Sequence, residues 1–325
     1  MKSITKIKVV GIGGSGSNAV SRMRKCKIKG VELIAINTDT QDLKKTKAHL
    51  KLRIGRKLTL GLGAGMNPEI GKLAAEEQRE EIKEILKGSD MVFIAGGEGG
   101  GTCTGAAPVV AQIAKNLKAL TVAIVTTPFS FEGSFRQKVA ENGLKKLKEK
   151  VDALISISND KLLSQLPPDI SLLNAFWICD DILREAVQGI TDLIFLPGII
   201  NVDFADVKSI MKNSGTALFG MGKAKGEKRA EVAALAALHS PLLDISPKGA
   251  KGVLFNVSGG KDITISEINE VGEIIIQEIN PQTPKSAALK TKTDTAGQTK
   301  VIFGAVQDEK LKEGEIKVTV IATGF

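Results

Sequence analysis

Short apolar runs rich in β-branched residues alternate with stretches of helical periodicity through the first half of the chain. Ile7–Val10 and Val31–Ile36 predict strands, as do Met91–Ala95, Thr121–Val125 and Leu154–Ile157. The first leads through a glycine-rich turn into a helix reaching about Met23. Asn67-Pro68 reads as an N-cap with proline at the first helical position. The helix after it carries Ile70, Leu73, Ala74, Ile82, Ile85 and Leu86 and stops near Gly88. Strands alternating with helices imply a mostly parallel sheet covered on both faces.

A long helix follows from about Asn174 to Leu196. Ile182, Leu183, Ala186, Val187, Ile190, Leu193 and Ile194 recur at its period, and Pro197-Gly198 ends it. The remainder reads as a second, smaller α/β unit. Ala230–Leu238 and Ile265–Glu278 predict helices, and Val253–Val257 a strand. Val301–Ala305 and Ile316–Ala322 predict two more strands, read as neighbours. Asn280–Lys300 reads as an exposed loop. The divisions expected are 1–173, a central helix over 174–197, and 198–325.

Composition narrows the classes. Apolar residues are 42 % of 325, enough for a sizeable core. The formal charge is +9, concentrated at 44–57 and 285–300. Lysines alternating with glutamates, as over 141–150, read as a solvated surface; the sharper reading is attraction to a polyanion. One Trp, no Tyr and eleven Phe argue against stacking on nucleic-acid bases. No apolar run has membrane-spanning length, so direct membrane insertion is not expected. The start lacks the apolar core of a signal peptide, which reads as cytosolic. Cys26, Cys103 and Cys179 have no metal spacing, and with only His49 and His239 no protein-held metal site is expected.

Two glycine-rich loops carry the chemistry. Val10–Ala19 joins a strand to a helix, and glycines there let backbone amides approach phosphate oxygens at a helix N-terminus. Gly11, Gly13 and Gly16 match the dinucleotide fingerprint, and Asp39 lies where such folds place a ribose-binding acid. Taken alone, the loop is also compatible with a ligand-free turn. Gly96–Gly105 is a second such loop, again between a strand and a helix. A dinucleotide fold has no use for a second phosphate cradle; a polyphosphate gripped from two sides does. Neither loop ends in the Gly-Lys-Ser/Thr of a P-loop.

The second loop also carries a resemblance. Gly99–Gly105, GGGTCTG, is similar to the GGGTGTG signature of the tubulin/FtsZ family. NTDTQDL from Asn37, GLGAGMNPEIG from Gly61, TTPFSFEG from Thr126, SNDKLL from Ser158, NVDFADV from Asn201, SPLLDIS from Ser240 and VTVIATGF from Val318 follow in the family's order, covering essentially the whole chain.

The resemblance implies a tubulin-like α/β fold: a Rossmann-type GTP-binding domain joined by the central helix to a smaller α/β domain. It implies GTP/GDP on the first domain, with Mg²⁺ bound mainly through the nucleotide. Gly13, Gly14, Ser15, Gly16, Ser17 and Asn18 would form the first phosphate loop. Gly99, Gly100, Gly101, Thr102, Cys103 and Thr104 would form the second. Glu132 and Arg136 would meet ribose and phosphate. Asn159 and Asp180 would contact guanine, whose N1 and N2 hydrogens a carboxylate can accept, and Phe176 would stack on the base.

Asn201, Asp203 and Asp206 match the family's catalytic loop, which enters the nucleotide pocket of the next subunit. By residue type alone the same segment reads as a polar turn with a helix N-cap. The loop's role implies assembly-dependent hydrolysis, because head-to-tail contacts do not close and so generate filaments. By family, the protein is expected at the mid-cell division site with division proteins and membrane adaptors. The family's C-terminal adaptor peptide has no counterpart after Phe325.

Three departures bear on the nucleotide. Cys103 replaces a signature glycine, which strains the loop if that position needs positive φ. Glu98 is expected to put a carboxylate beside the phosphates. Phe176-Trp177-Ile178-Cys179 is bulkier than the family pattern. Two other readings stay open: a filament scaffold with weak or no hydrolysis, through Glu98 and Cys103, and a dinucleotide-dependent oxidoreductase.

Overall fold

Apolar runs with two buried faces become the central strands of parallel sheets, because neither face tolerates polar side chains. The computed structural model describes residues 5–164, 166–167, 169–196, 198–240, 246–281, 299–308 and 311–325. The chain forms two compact units, residues 1–188 and 189–325.

In the first unit the chain runs β1 (Ile7–Ile12), α1 (Gly13–Lys25), β2 (Val31–Asn37), α2 (Thr40–Lys45) and β3 (Leu50–Arg53). It continues through α3 (Pro68–Glu77), α4 (Arg79–Leu86), β4 (Met91–Gly97), α5 (Gly101–Asn116), β5 (Leu120–Thr127), α6 (Ser134–Lys148), β6 (Ala153–Ser158) and α7 (Asn159–Leu163). The strands order β3-β2-β1-β4-β5-β6, all parallel. Val10, Ile34, Ile94 and Val125 pack on one side with Ala106, Val110 and Ile82 of the covering helices, all fully buried. Helix α8 (Leu172–Phe195) leads out of this unit.

The helix expected from Pro68 to Gly88 is two helices. At Gln78 the backbone leaves helical geometry (φ −103°, ψ 24°). Its buried side chain accepts from the Gly55 amide at 2.5 Å, a contact that fixes the break. Asn67 caps α3, accepting from the Glu69 amide.

The second unit holds α9 (Phe204–Met211), β7 (Gly215–Lys225), α10 (Arg229–Leu238), β8 (Gly252–Gly259), α11 (Ile265–Ile279), β9 (Lys300–Gln307) and β10 (Glu315–Thr323). Its strands order β7-β10-β8-β9, with β8 and β9 parallel and the other pairs antiparallel. The last two strands are therefore not neighbours, because β8 lies between them. Phe255, Val257, Val318 and Ile275 fill the core. Buried Arg229 ties α10 to Asp262 (2.6 Å) and to Glu267 of α11 (2.5 Å). The loop expected at 280–300, and the basic stretch at 285–300, fall almost wholly outside the described residues, as does Pro197.

Candidate nucleotide site

The first glycine loop is closed by backbone crossing backbone. A Cβ on Gly16 would lie 2.5 Å from the Ala95 carbonyl oxygen and 2.7 Å from the Gly11 carbonyl carbon. Gly11 and Ala95 are themselves paired across β1 and β4. Gly13 has φ +70°. The N-cap position of α1 is Ile12, which offers no side-chain acceptor, and the first turn has no acidic residue. The leading amides and the positive dipole end of α1 are thus left for an anionic ligand.

The second loop is built alike. The N-cap position of α5 is Gly100, again without a side-chain cap or first-turn acid. The two loops adjoin: a Cβ on Gly13 would lie 3.4 Å from the Cys103 amide nitrogen and from Thr102 Cβ, and one on Gly97 would lie 3.2 Å from Ser15 Cβ. Thr102 shares a 2.6 Å hydrogen bond with Thr38. Gly99 has φ +91°, and its missing side chain leaves room for Arg136. Arg136 pairs with Glu132 at 2.7 Å. The Glu132 carboxylate also accepts from the Phe129 amide at 2.8 Å.

The condition for strain at Cys103 is not met, and Glu98 does not stand where it was expected. Cys103 lies within α5 and is not among the described residues of positive φ, so it carries no left-handed strain. Its buried thiol occupies the space that a Cβ on Gly96 would need. Burial pushes the thiol's pKa well up, so it stays protonated. Glu98 does not offer its carboxylate at the loop surface. The residue is 3 % exposed, and Oε2 packs against the bare Cα of Gly143 on α6. The apolar surroundings that α5 and α6 provide raise its pKa to about 7.

Of the remaining predicted residues, Asp180 touches the first loop. Asp180 of α8 is 6 % exposed; it accepts from Ser15 Oγ at 3.0 Å and pairs with Arg22 at 3.5 Å. Burial raises its pKa to about 6, opposed by Ser15 and Arg22, so it is mostly ionised at neutral pH. Phe176 meets Phe129 edge-on at 5.3 Å, and Phe129 stacks on Phe131 at 4.9 Å. Asn159 opens α7 after β6. It is 5 % exposed, and its Oδ1 has no partner, an orphaned acceptor of the kind a ligand satisfies. Asp39, the expected ribose acid, instead caps α2, accepting from the amides of Gln41 (2.7 Å) and Asp42 (3.0 Å).

Asn201, Asp203 and Asp206 lie in the second unit. The chain before them is pinned to β9: Ile199 and Ile200 donate to the Ala305 carbonyl, and Ala305 donates back to Ile200. Asn201 Oδ1 accepts from the Gly198 amide at 2.8 Å. Asp203 is the N-cap of α9 and closes a reciprocal capping box with Asp206: the Asp206 amide donates to Asp203 Oδ1 at 2.8 Å, and the Asp203 amide to Asp206 Oδ2 at 3.4 Å. The turn-and-cap reading of this segment is thus observed directly.

Residues 6–167 match the family model of the tubulin/FtsZ GTPase domain, and 215–285 that of the FtsZ C-terminal domain. An empty dimer of FtsZ from M. jannaschii is 46 % identical, with TM-score 0.90 over 100 % of this chain and 89 % of that one. The chain belongs to the FtsZ family. A GTPγS-bound protofilament of CetZ2 from Haloferax volcanii, 20 % identical with TM-score 0.79 over 98 % of this chain and 92 % of that one, shares the fold.

Membership makes this an α/β GTP-binding protein of the tubulin-like GTPase class, with relatives solved as a dimer and a protofilament. No described helix is long and apolar enough to cross a membrane. The oxidoreductase reading falls, and a scaffold without hydrolysis is not favoured.

Sequence reasoning missed two contributors to this FtsZ-family site. Arg22 lies seven residues after Ser15, on the same face of α1, and its guanidinium stands 4.7 Å from the Trp177 ring centroid. That spacing was the available signal. Thr38, which grips Thr102, carries no local signal, since a threonine after a strand has many uses.

Proposed function

We propose that the chain binds GTP between the paired N-termini of α1 and α5, and that hydrolysis is completed by Asn201, Asp203 and Asp206 of an adjacent copy. The supporting observation is the pair of adjoining helix N-termini, both without side-chain caps. Residues 13–18 and 99–104 would hold the phosphates, chiefly through the leading amides of α1 and α5, since the Gly99 amide already donates to Thr104 Oγ1. Glu132 and Arg136 would bind ribose and phosphate. Asp180 and Asn159 would read guanine, with Phe176 on its face. Mg²⁺ would neutralise charge on the phosphate oxygens that carry it.

Asp203, the exposed N-cap of α9, and Asp206, half-buried in its first turn, are carboxylates held by each other's amides. There they can orient a water against a γ-phosphate with little reorganisation, which is most of what phosphoryl transfer asks of a protein. The contact is head-to-tail, so it generates a filament. In the cell, we assign that filament to the cytokinetic ring at mid-cell, with division proteins as partners.

Phosphate release from GTP, measured per molecule against protein concentration, tests the shared site. The rate should rise with concentration and then level. Asp206→Asn should abolish turnover while filaments still pellet. A rate flat in concentration, or unchanged by the substitution, overturns the proposal.

A further inference from the structure

Basic residues gather at one end of the first unit. Between Arg24 and Lys51 eight lysines and arginines stand against three acids, a net +5 of the chain's +9. Arg24, Lys25, Lys27 and Lys29 end α1 and fill its turn into β2, and all four are exposed. Lys44, Lys45, Lys47 and Lys51 end α2 and lead into β3, and all four are exposed. Two contacts join the stretches into one surface: the Lys47 amide donates to Ser21 Oγ of α1 at 2.9 Å, and Arg24 meets the His49 ring. Lys51 Nζ folds back to donate to the Lys44 carbonyl at 3.0 Å.

The acids nearby are engaged. Glu32 pairs with Lys8 at 3.3 Å, Asp39 caps α2, and Asp42 accepts from Asn37 at 2.6 Å. On α8, Asp181 and Glu185 both hold Arg184. Farther along, Arg56 and Lys57 stand beside Glu81 and Glu77, so the surplus lies before them. Local structure accounts for part of it. Arg24, Lys25, Lys44 and Lys45 lie in the last turns of α1 and α2, where cations oppose the helix dipole. Lys51 guards an edge strand against pairing. Lys27, Lys29 and Lys47 have neither task. Crowded like charges repel one another, so the cluster is costly unless an anion lies against it.

We propose that this surface binds the anionic headgroups of a lipid bilayer, lying on the membrane without entering it. Seven of the eight cations are lysines, point charges suited to a mobile layer of phosphates. Arginine, whose fork reads fixed phosphate and base geometry, occurs there once. The chain has no Phe, Tyr or Trp before Phe93, so these segments offer no such ring to stack on bases or to anchor in a bilayer. Attraction is therefore electrostatic. The strands β1 to β4 are parallel; the glycine loops follow the C-terminal ends of β1 and β4, whereas the cluster lies where β2 and β3 begin. It stands about 20 Å from the first loop, the length of α1. The binding thus does not rest on the GTP reading.

Co-sedimentation of the full chain with vesicles of equal parts phosphatidylglycerol and phosphatidylcholine tests it. Half of the chain should pellet at about 0.1–1 mM accessible anionic lipid in about 0.1 M KCl. Binding should fall about tenfold or more in about 0.5 M KCl. Lys27→Gln, Lys29→Gln and Lys47→Gln together should weaken it about a hundredfold, at roughly fivefold per charge, while circular dichroism and melting point stay those of the parent. Lys138→Gln, Lys145→Gln and Lys148→Gln together, an equal change of charge at exposed positions of α6, should weaken it by about threefold at most. Equal pelleting with phosphatidylcholine alone, binding that survives the higher salt, or a folded cluster variant that binds like the parent overturns the proposal. Equal loss in the α6 variant overturns it too, because binding would then follow net charge and not this surface. A DNA duplex of about 30 base pairs is the competing polyanion. If it binds more tightly than vesicles at matched phosphate, and the cluster variant loses it, the surface belongs to nucleic acid and the lipid assignment falls.

Discussion

The two glycine loops do the same task with glycines of different kinds. In the first, Gly11 and Gly16 are required by backbone packing, because α1 crosses β1 and β4 with no space for a Cβ. In the second, backbone conformation demands glycine at Gly99, whereas position 103 is helical and takes a cysteine whose sulfur fills the room left by Gly96. Glu98 is accommodated likewise, by the bare Cα of Gly143. A signature glycine fixed by main-chain contact resists change. One fixed only by side-chain neighbours can change when a neighbour shrinks.

The largest expected effect breaks the first kind. Gly16→Ala puts a methyl 2.5 Å from the Ala95 carbonyl oxygen, which is backbone and cannot turn aside. We expect a loss of about 3 kcal/mol or more, a melting point lower by roughly 6–12 °C, and no detectable GDP binding. A variant that melts and binds like the parent would show that α1 can lift from the sheet, and the distinction between the loops would fail.

Glu98 supplies the next effect, and its sign is definite. The folded carboxyl has a pKa of about 7 against an ordinary 4.5. Between those values the folded chain holds a proton that the unfolded chain has lost. Stability therefore falls as pH rises from 4.5 to about 7 and levels above, by about 3 kcal/mol in all. Glu98→Met should remove that fall, raising the melting point at pH 8 relative to the parent far more than at pH 5. Equal shifts at both pH values would mean that the carboxylate is solvated.

The pairing of Cys103 with Gly96 is sharpened by a double-mutant cycle. Cys103→Gly should cost about 2 kcal/mol, from a lost buried side chain and a glycine within a helix, and should leave GDP affinity within about twofold. Gly96→Ala should be costly beside Cys103 and cheaper beside Gly at that position, with a coupling of about 1 kcal/mol or more. Additive costs would separate the two positions. Because Cys103 is unstrained, its reversion should not raise GTP turnover.

The same distinction explains what the sequence disclosed. Strand-turn-helix junctions at Gly11 and Gly99 were legible because positive φ and close approach leave glycine little competition. The long apolar helix was legible from its period. β3 and β7 escaped because Leu50–Arg53 is short and half-exposed, and Gly215–Lys225 is interrupted by glycines and lysines that only the pairing with β10 explains. The neighbours of β9 and β10 were misread because strand order is a property of the sheet rather than of chain proximity. At the site, Cys103 and Glu98 looked harmful because a sequence shows a side chain's identity but not its direction. Arg22 was missed because its partners, Asp180 and Trp177, lie more than 150 residues away.

The smallest expected change in stability sharpens the comparison from outside both loops. Asp203 has two readings, an N-cap and a catalytic acid, and the capping box makes the first visible without deciding the second. Asparagine caps a helix about as well as aspartate, whereas alanine loses about 1 kcal/mol. Asp203→Asn should therefore leave the melting point within about 1 °C, and Asp203→Ala should lower it by roughly 2–4 °C. If the charge acts on a neighbouring copy's nucleotide, phosphate release falls in both variants alike. If the residue only holds α9 in place, turnover tracks the melting point and Asp203→Asn keeps its rate. The carboxylate would then join the glycines of the first loop as a requirement of the backbone alone.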